Sequence, residues 1–172
     1  MSELWKPNVT VAAIVEGRGP HAGRYLMVEE ETGDGLRFNQ PAGHLERGES
    51  LIDAAIRETL EETAHAFTPS GVLGIYLSRS RHRPFKAGRN EPAEPITYLR
   101  FAFVGTVGGA IEDRMLDEGI VRALWMTIDE VRASVLRHRS AMVMRCVEDH
   151  SRGKPLASLD TLFADASALG AG

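Results

Sequence analysis

Four glutamates and one arginine lie on or just before a single predicted helix. Glu49 precedes this helix, and Arg57, Glu58, Glu61 and Glu62 lie along it. On a helical wheel of about 100° per residue, Glu58, Glu61 and Glu62 fall within one arc of roughly 100°. Carboxylates three and four residues apart repel one another, so we expect a positive group beside them. Hard divalent cations are natural candidates because they take oxygen ligands.

The arginine in this stretch is well placed to orient the carboxylates. Arg57 directly precedes Glu58 and lies four residues before Glu61. A guanidinium fork can hold a carboxylate through two hydrogen bonds and so fix the rotamer of a ligand. Upstream, Gly43 ends a Pro-Ala-Gly loop whose backbone carbonyl could face the same ion. The alternative is a solvated acidic face, which is the usual state of a Glu-rich helix.

The stretch from Gly43 to His65 resembles the Nudix box, the signature of hydrolases acting on nucleoside diphosphates linked to another group. Gly43 is followed after five residues by Glu49, and after seven more by the run Arg-Glu-Thr-Leu-Glu-Glu that ends at Glu62. In two respects the chain departs from the family pattern. Ala64 stands where the family has glycine, and Thr59 and His65 stand where it has aliphatic residues. Since glycine commonly caps a helix in the left-handed conformation, Ala64 predicts a different or slightly longer helix end.

The resemblance implies roles for the residues of the box. It implies Mg²⁺, with Mn²⁺ as a substitute, held by Glu58, Glu61, Glu62 and the Gly43 carbonyl, and a catalytic set of Glu49, Arg57, Glu58 and Glu61. Water would attack phosphorus while the ion lowers the pKa of water and neutralises phosphate charge. The proton acceptor would be Glu58 or Glu118, between which the sequence does not decide. Glu118, near the start of a later strand, is also a candidate additional ligand.

Three further segments resemble one branch of the family, the NudJ type. They are Lys6–Ala12, Phe38–Glu46 and Leu99–Phe101. The branch implies hydrolysis of thiamine-type pyrophosphates and nucleoside di- and triphosphates, with release of orthophosphate. Two alternatives stay open: a general nucleoside triphosphate pyrophosphatase that releases pyrophosphate, and a Nudix-fold sensor that binds nucleotide without cleaving it. A sensor would lack one or more box glutamates, and all four are present. A calcium-binding acidic helix without catalysis is disfavoured by Arg57 and the glycine loop.

Other candidates lie outside the box. Arg100 interrupts the apolar and aromatic strand Tyr98–Phe103, so it either grips a substrate phosphate or faces water or a buried partner. The segment 79–90 carries six basic side chains, counting one histidine, and either closes over phosphates or is simply solvated. His44 is noted for its position beside the glycine loop. The aromatic residues Phe38, Tyr98 and Trp125 either stack on a substrate ring or belong to the core.

Length and composition indicate one globular domain. The chain has 172 residues, a net charge of −4 and a pI near 5.9, which argues against general nucleic-acid binding. We expect a Nudix domain over 6–163 and a flexible tail over 164–172. There is no signal-peptide or membrane-span pattern, so a cytoplasmic protein with a small phosphorylated substrate is expected. Because Cys146 is the single cysteine, an internal disulfide is excluded, and we expect this residue to lie in the core. The oligomeric state is not indicated.

The order of predicted elements gives the fold class. Strands are expected at 9–15, 25–30, 71–77, 96–104 and 121–127, with a turn at 32–35. The box helix is expected from Ser50, a plausible N-cap, to Ala64, and two further helices over 128–136 and 140–151. Mixed strands with helices on both faces predict an α/β fold. The resemblance makes this a Nudix-type α/β/α sandwich with a mixed β-sheet between helices.

Overall fold

Seven strands and three α-helices follow one another in a computed structural model that describes residues 5–80 and 95–170. The strands are β1 (Asn8–Ile14), β2 (Arg24–Thr32), β3 (Gly35–Asn39), β4 (Ala42–His44), β5 (His65–Ser80), β6 (Ile96–Ala110) and β7 (Ile120–Thr127). The helices are α1 (Leu51–Thr63), α2 (Ile128–Ala133) and α3 (Met142–Ser151). Short 3₁₀ turns occupy Gly19–His21, Val135–Arg137 and Leu159–Thr161.

The strands form two sheets. The first has the order β4-β1-β6-β5 and is mixed, because β1 runs parallel to β6 while the other pairs are antiparallel. The second is antiparallel, with the order β3-β2-β7. They meet where the Leu26 N–H donates to the Val15 carbonyl at 3.0 Å. The predicted α/β class is therefore confirmed, with the strands divided between two sheets.

The helices pack on opposite faces of the mixed sheet. Alternate residues of β1 point to opposite faces: Val11 packs in the same cluster as Ala54 and Ala55 of α1, whereas Ile14 packs in the cluster of Val143 on α3. Cys146 is fully buried in the α3 cluster, as expected from the sequence. This arrangement is the helix, sheet, helix layering of the predicted sandwich.

Helix α1 begins as the sequence predicts and ends differently from the expectation. The Ser50 hydroxyl accepts from the Asp53 N–H at 3.1 Å, and the Asp53 carboxylate accepts from the Ser50 N–H. Together these two hydrogen bonds form a capping box. The expectation that Ala64 would change the helix end is wrong. Ala64 adopts the left-handed conformation, with φ 58°, and its N–H donates to the Leu60 carbonyl. An alanine there costs about 1 kcal/mol relative to glycine, so burial of the surrounding chain must hold it.

Several element boundaries differ from the prediction. The turn expected at 32–35 is present between β2 and β3, whereas β3 itself follows it in a stretch where no strand was expected. Strand β4 lies in the expected glycine loop, and its three residues are too few to show an alternating pattern. Strand β5 is longer than the expected 71–77 and crosses Pro69, where register shifts against β6 accommodate a residue that cannot donate. The helix expected over 128–136 ends at Ala133 and continues as a 3₁₀ turn.

The segment after α3 returns along the first sheet. Ala157 pairs with Val72 on the outer edge of β5, and Leu159 and Leu162 pack on the cluster beneath α1. Within the range expected to be a tail, the Gly170 N–H donates to the Gly48 carbonyl at 2.8 Å. The expected domain boundary at residue 163 stays a prediction. Among the described residues, no helix has the length and apolar character needed to cross a membrane.

Candidate active site

A cleft of about 310 Å³ lies between the glycine loop, the acidic side of α1 and the first residues of β1 and β6. Its acidic lining residues are Glu30, Glu46, Glu58 and Glu62, and its arginines are Arg100 and Arg139. Gly43, His44 and Tyr98 also line it. The cleft therefore joins a cluster of carboxylates to two cations, as binding of a metal together with a phosphate requires.

Arg57 connects the residues of the box through hydrogen bonds. Its Nε and Nη2 donate to the two oxygens of Glu49 at 3.0 and 2.8 Å, and its Nη1 donates to Glu58 at 2.8 Å and Glu61 at 3.0 Å. Nη2 also donates to the His44 carbonyl at 3.0 Å. The Glu49 carboxylate accepts in addition from the Glu46 N–H, and these bonds, Arg57 first, lower the pKa of Glu49. The fork predicted from the spacing is present and joins α1 to the loop after β4.

The glycine loop and the glutamates of α1 fit closely together. A Cβ at Gly43 would overlap the carboxyl carbon and both oxygens of Glu58. One residue earlier, the Ala42 N–H donates to a carboxylate oxygen of Glu62 at 2.8 Å. Glu58 and Glu62 are only 9% and 8% exposed. Two carboxylates are thus buried against the backbone of β4, and beside Glu58, at position 43, only glycine fits.

Burial makes the charged form of these carboxylates costly. It raises the pKa of Glu58 against the lowering effect of Arg57, and it raises the pKa of Glu62 well above its ordinary value. Neighbouring carboxylates add to both shifts, among them Asp117, whose charge acts on Glu58 and Glu62. One arginine does not balance this cluster, so a further cation would relieve the repulsion.

The donor set suits a hard divalent cation. It consists of carboxylate oxygens beside the backbone of Gly43, and oxygen atoms are the ligands that Mg²⁺ takes. In the described ranges, 5–80 and 95–170, no three His, Cys, Asp or Glu side chains are already assembled as a cation site. The reason is visible in the hydrogen bonds, since Glu58 and Glu61 turn toward Arg57 and Glu62 toward Ala42.

The other predicted box residues lie at the margin of the cleft. Glu61 is partly exposed and reaches the site through Arg57, and Glu49 acts on Arg57 from the loop before α1. In the later turn, the charge of Asp117 acts on Glu58 and Glu62, and the Asp117 N–H donates to the Glu61 carbonyl. Asp117 and Glu118 are both exposed. The role assigned to Glu118 stays a prediction.

Arg100 lines the cleft, and its role in substrate binding stays a prediction. It is 5% exposed and lies opposite Thr10 in the parallel β1–β6 pair. Its Nη1 donates to the Gln40 side-chain oxygen at 3.4 Å, and the Gln40 amide donates to the Val143 carbonyl at 2.7 Å. Burial lowers the pKa of Arg100, while Glu30 and Glu62 act in the opposite direction. Gln40 thus connects this buried cation to α3.

Of the three aromatic candidates, only Tyr98 lines the cleft. Phe38 is buried beneath the guanidinium of Arg137, 4.3 Å from its ring centroid, and Trp125 stacks on His21 in a different cavity. His44 lines the cleft, where burial lowers its pKa. For the basic segment, Arg79 lies on β5, and residues 81–90 lie outside the described residues.

Sequence reasoning missed part of the cleft wall. Thr10, Asn39, Arg139 and Ser140 line it, and none of them was singled out for a role. Thr10 offered one signal, because it is the polar residue in the otherwise apolar run Val9–Val15. Arg139 and Ser140 offered none, since they come from a short connection more than 120 residues later in the chain. Such residues are brought together only by the fold.

Comparison with known proteins agrees with this geometry. The family model of the NUDIX domain matches residues 6–146. The phosphatase NudJ of Escherichia coli (strain K12) is 32% identical over 152 residues, which cover 88% of each chain. The NudJ of Shigella boydii matches over the same length at the same identity.

Solved structures give the same family. A NUDIX hydrolase from Nitrosomonas europaea is 46% identical and superposes with a TM-score of 0.79 over 94% of this chain and 99% of that one. An ADP-ribose pyrophosphatase from Streptococcus suis is 16% identical, with a TM-score of 0.59 over 88% of this chain and 96% of that one, which is a likeness of fold. The box residues, the fold and these relatives together place the chain in the Nudix family of hydrolases.

Proposed function

We propose that this chain is a magnesium-dependent hydrolase that cleaves thiamine-type pyrophosphates and nucleoside di- and triphosphates and releases orthophosphate. The observation that carries the proposal is one cleft that is lined by Glu58 and Glu62 together with Arg100 and Arg139. Carboxylates for a divalent ion beside arginines for phosphate oxygens are the two parts that phosphoanhydride hydrolysis needs. Mn²⁺ should replace Mg²⁺, because both are hard cations that favour oxygen ligands.

Each box residue has a part in this proposal. Glu58, Glu61 and Glu62, with the Gly43 carbonyl, would hold the ion. When bound, the ion supplies a lowered pKa for the attacking water and neutralises charge on the diphosphate oxygens. Arg57 holds the ligands in fixed rotamers through its bonds to Glu58 and Glu61, and Glu49 anchors Arg57.

The proton acceptor is assigned by position. Glu58 lines the cleft and lies against Gly43, at the glycine loop where the ion would be held. Glu118 is exposed and is not among the described residues that line the cleft. We therefore assign the acceptor role to Glu58, and Arg100 and Arg139 bind oxygens of the substrate's phosphates.

The relatives support the choice of product. The proteins named NudJ are phosphatases by name, and they match nearly the whole chain. The ADP-ribose pyrophosphatase shares only the fold at 16% identity, so it gives no support for that substrate. All four box glutamates are present, which argues against a binding-only sensor.

A substrate panel tests the proposal. Purified protein in magnesium is given thiamine pyrophosphate, its pyrimidine precursor diphosphate, nucleoside di- and triphosphates and ADP-ribose, with orthophosphate and pyrophosphate measured separately. We expect orthophosphate from thiamine pyrophosphate and from the nucleotides. Pyrophosphate as the main product from triphosphates, with thiamine pyrophosphate untouched, would instead establish the general nucleotide pyrophosphatase. Tight nucleotide binding without any product would establish the sensor.

A further inference from the structure

The segment that follows α3 crosses from one face of the first sheet to the other. We call its residues 157–170 the strap. The strap begins at the edge strand β5, where Ala157 and Val72 exchange two backbone hydrogen bonds of 2.9 Å each. Leu159 and Leu162 then pack on the apolar cluster beneath α1. The strap therefore reaches the helix that carries the box glutamates.

The next part of the strap is ordered by hydrogen bonds of its own. The Asp165 carboxylate accepts from the Ser167 N–H at 2.9 Å and also from the Ser167 hydroxyl. The Ala168 N–H donates to the Asp165 carbonyl at 2.8 Å. These three residues are exposed, whereas Leu169, which follows them, is half-buried. An exposed segment of this kind is usually poorly ordered unless bonds tie it down, so the turn at Asp165 gives the strap a defined path.

The strap contacts the loop before α1 at Gly48. Leu169 forms a parallel bridge with Gly48, and the Gly170 N–H donates to the Gly48 carbonyl at 2.8 Å. Gly48 has a φ of +89°, and a Cβ there would lie 3.0 Å from both Cα and N of Gly170. The close approach of these two backbone segments therefore depends on glycine at position 48.

Gly48 directly precedes Glu49, which joins this loop to the box helix. The Glu49 carboxylate accepts from Nε and Nη2 of Arg57 at 3.0 and 2.8 Å. Nη1 of Arg57 donates in turn to Glu58 and Glu61. A continuous series of contacts thus connects the strap to these two carboxylates. Groups that orient the ligands of a metal ion commonly change its affinity, although they do not touch the ion.

From these contacts we infer that residues 165–170 position the metal site. They hold the loop at Gly48, so that the Glu49–Arg57 pair keeps Glu58 and Glu61 in place. The inference rests on the proposed function, because it takes these two glutamates as ligands of a divalent ion. All residues of the strap are described, and none of them lines the cleft. The strap therefore acts on the affinity for the metal and not on contacts with the substrate.

Shortening the chain to residues 1–163 tests the inference. This variant keeps the Ala157–Val72 pair and both leucines of the strap but loses the turn and the contact with Gly48. The rate of hydrolysis of thiamine pyrophosphate, or of a nucleoside triphosphate, is measured against magnesium concentration. We expect the magnesium concentration for half-maximal rate to rise by about threefold to tenfold, as for the loss of one hydrogen bond. At saturating magnesium, kcat and KM should change by less than about twofold.

Two single substitutions complete this test. Asp165→Ala removes the acceptor that orders the turn, and we expect a rise in the magnesium requirement that is smaller than in the shortened chain. Asp160→Ala is the matched control, because Asp160 is also exposed and accepts from the Ser158 hydroxyl at 3.2 Å in an earlier turn of the strap. The control should leave the magnesium requirement unchanged. If the shortened chain did not fold, Asp165→Ala would decide the question.

Hydrogen–deuterium exchange gives a measurement that does not depend on activity. In the loop before α1, the Glu46 N–H donates to the Glu49 carboxylate at 2.8 Å, and the Leu45 N–H donates to the Val9 carbonyl at 3.1 Å. If the strap holds this loop, the Glu46 amide should exchange faster in the shortened chain and in Asp165→Ala. The amides in the middle of β1 and β6 should keep their rates in both variants.

Three results would overturn the inference. They are unchanged exchange in the loop, faster exchange with an unchanged magnesium requirement, and a KM at saturating magnesium that rises as much as the magnesium requirement. If the wild-type protein hydrolysed no phosphoanhydride, the proposed function would fail, and calorimetric titration with magnesium would test the strap alone. Weaker magnesium binding by the shortened chain would support the inference. Equal binding by both proteins, or no binding by the wild-type protein, would refute it.

Discussion

The Glu58 carboxylate occupies the space that a Cβ of residue 43 would fill, so the identity of Gly43 is set by Glu58. Arg57 stabilises the contact between Gly43 and Glu58. It donates one hydrogen bond to Glu58 and another to the carbonyl of His44, the residue after Gly43. The glycine and the glutamate are fifteen positions apart in the sequence, and together they fix the distance between β4 and α1.

Gly43→Ala should therefore abolish most activity. The added Cβ must displace either the Glu58 carboxylate or the loop itself, and we expect kcat/KM to fall by at least about 100-fold, as for loss of a group that activates water. Gly108→Ala is the control, since a Cβ there meets nothing within 4 Å. Steady-state assays of both variants check this, and a Gly43→Ala enzyme with near-normal rates would show that Glu58 is not needed in its present position.

Arg57→Lys should be more damaging than its retained charge suggests. An ammonium group cannot reproduce the five hydrogen bonds that the guanidinium makes to Glu49, Glu58, Glu61 and the His44 carbonyl. We expect lower kcat together with weaker magnesium activation, measured as rate against magnesium concentration. Complete rescue of kcat at saturating magnesium would reduce Arg57 to an aid for metal affinity.

The local part of the site could be predicted from the sequence because its pattern is local. The spacing of Glu58, Glu61 and Glu62 on one helix, the Ser50 cap and the Arg57–Glu49 pair depend on residues close together in the chain, and the structure contains each of these elements. Helical periodicity determines which side chains share a face. A resemblance to the Nudix box added the expected role of Gly43.

The opposite wall of the cleft could not be predicted in the same way. Thr10 and Ser140 both line this wall, although they are 130 positions apart in the sequence. Their common location depends on the order of the strands and on the packing of α3 against the sheet. Short strands raise the same difficulty, since β4 has three residues and its pairing with β1 follows from tertiary contact rather than local preference.

The buried carboxylates should lower the free energy of unfolding as pH rises. Carboxylates whose pKa is lowered in the folded protein have the opposite effect. The pKa of Glu62 is higher in the folded protein than its ordinary value of 4.5. Its contribution to the free energy of unfolding is therefore fully present below that value and is lost as pH rises through the raised pKa. In EDTA, Glu62→Gln should stabilise the protein more at about pH 8 than at about pH 5.

Denaturant unfolding of both proteins at the two pH values measures this difference, and comparison with the variant cancels the contributions of other titrating groups. A glutamine oxygen can still accept from the Ala42 N–H, so the fold should survive. Magnesium should raise the melting temperature of the wild-type protein at the higher pH and that of the variant less. A stabilisation by Glu62→Gln that is equal at both pH values would contradict the prediction.

Arg100 should govern the affinity for anionic substrates. Arg100→Ala should raise KM by about 10- to 100-fold, or about 1.4 to 2.7 kcal/mol, with a smaller effect on kcat. Gln40→Glu should act in the same direction, because a carboxylate in place of the amide oxygen would pair with Arg100 and offset its charge. Arg132→Ala, an exposed arginine paired with Asp129, is the control and should leave KM unchanged. Unaltered KM in Arg100→Ala would remove that residue from the substrate site.

The most direct test of the account is the metal dependence of phosphoanhydride cleavage by the wild-type protein and by Glu61→Gln, with thiamine pyrophosphate and a nucleoside triphosphate as substrates. Orthophosphate release should be absent in EDTA and restored by magnesium or manganese in the wild-type protein. In Glu61→Gln, kcat should be lower by at least about 100-fold, while the melting temperature stays the same or rises because one carboxylate repulsion is removed. Undiminished turnover in the chelator, or a normal kcat in the variant, would contradict the account.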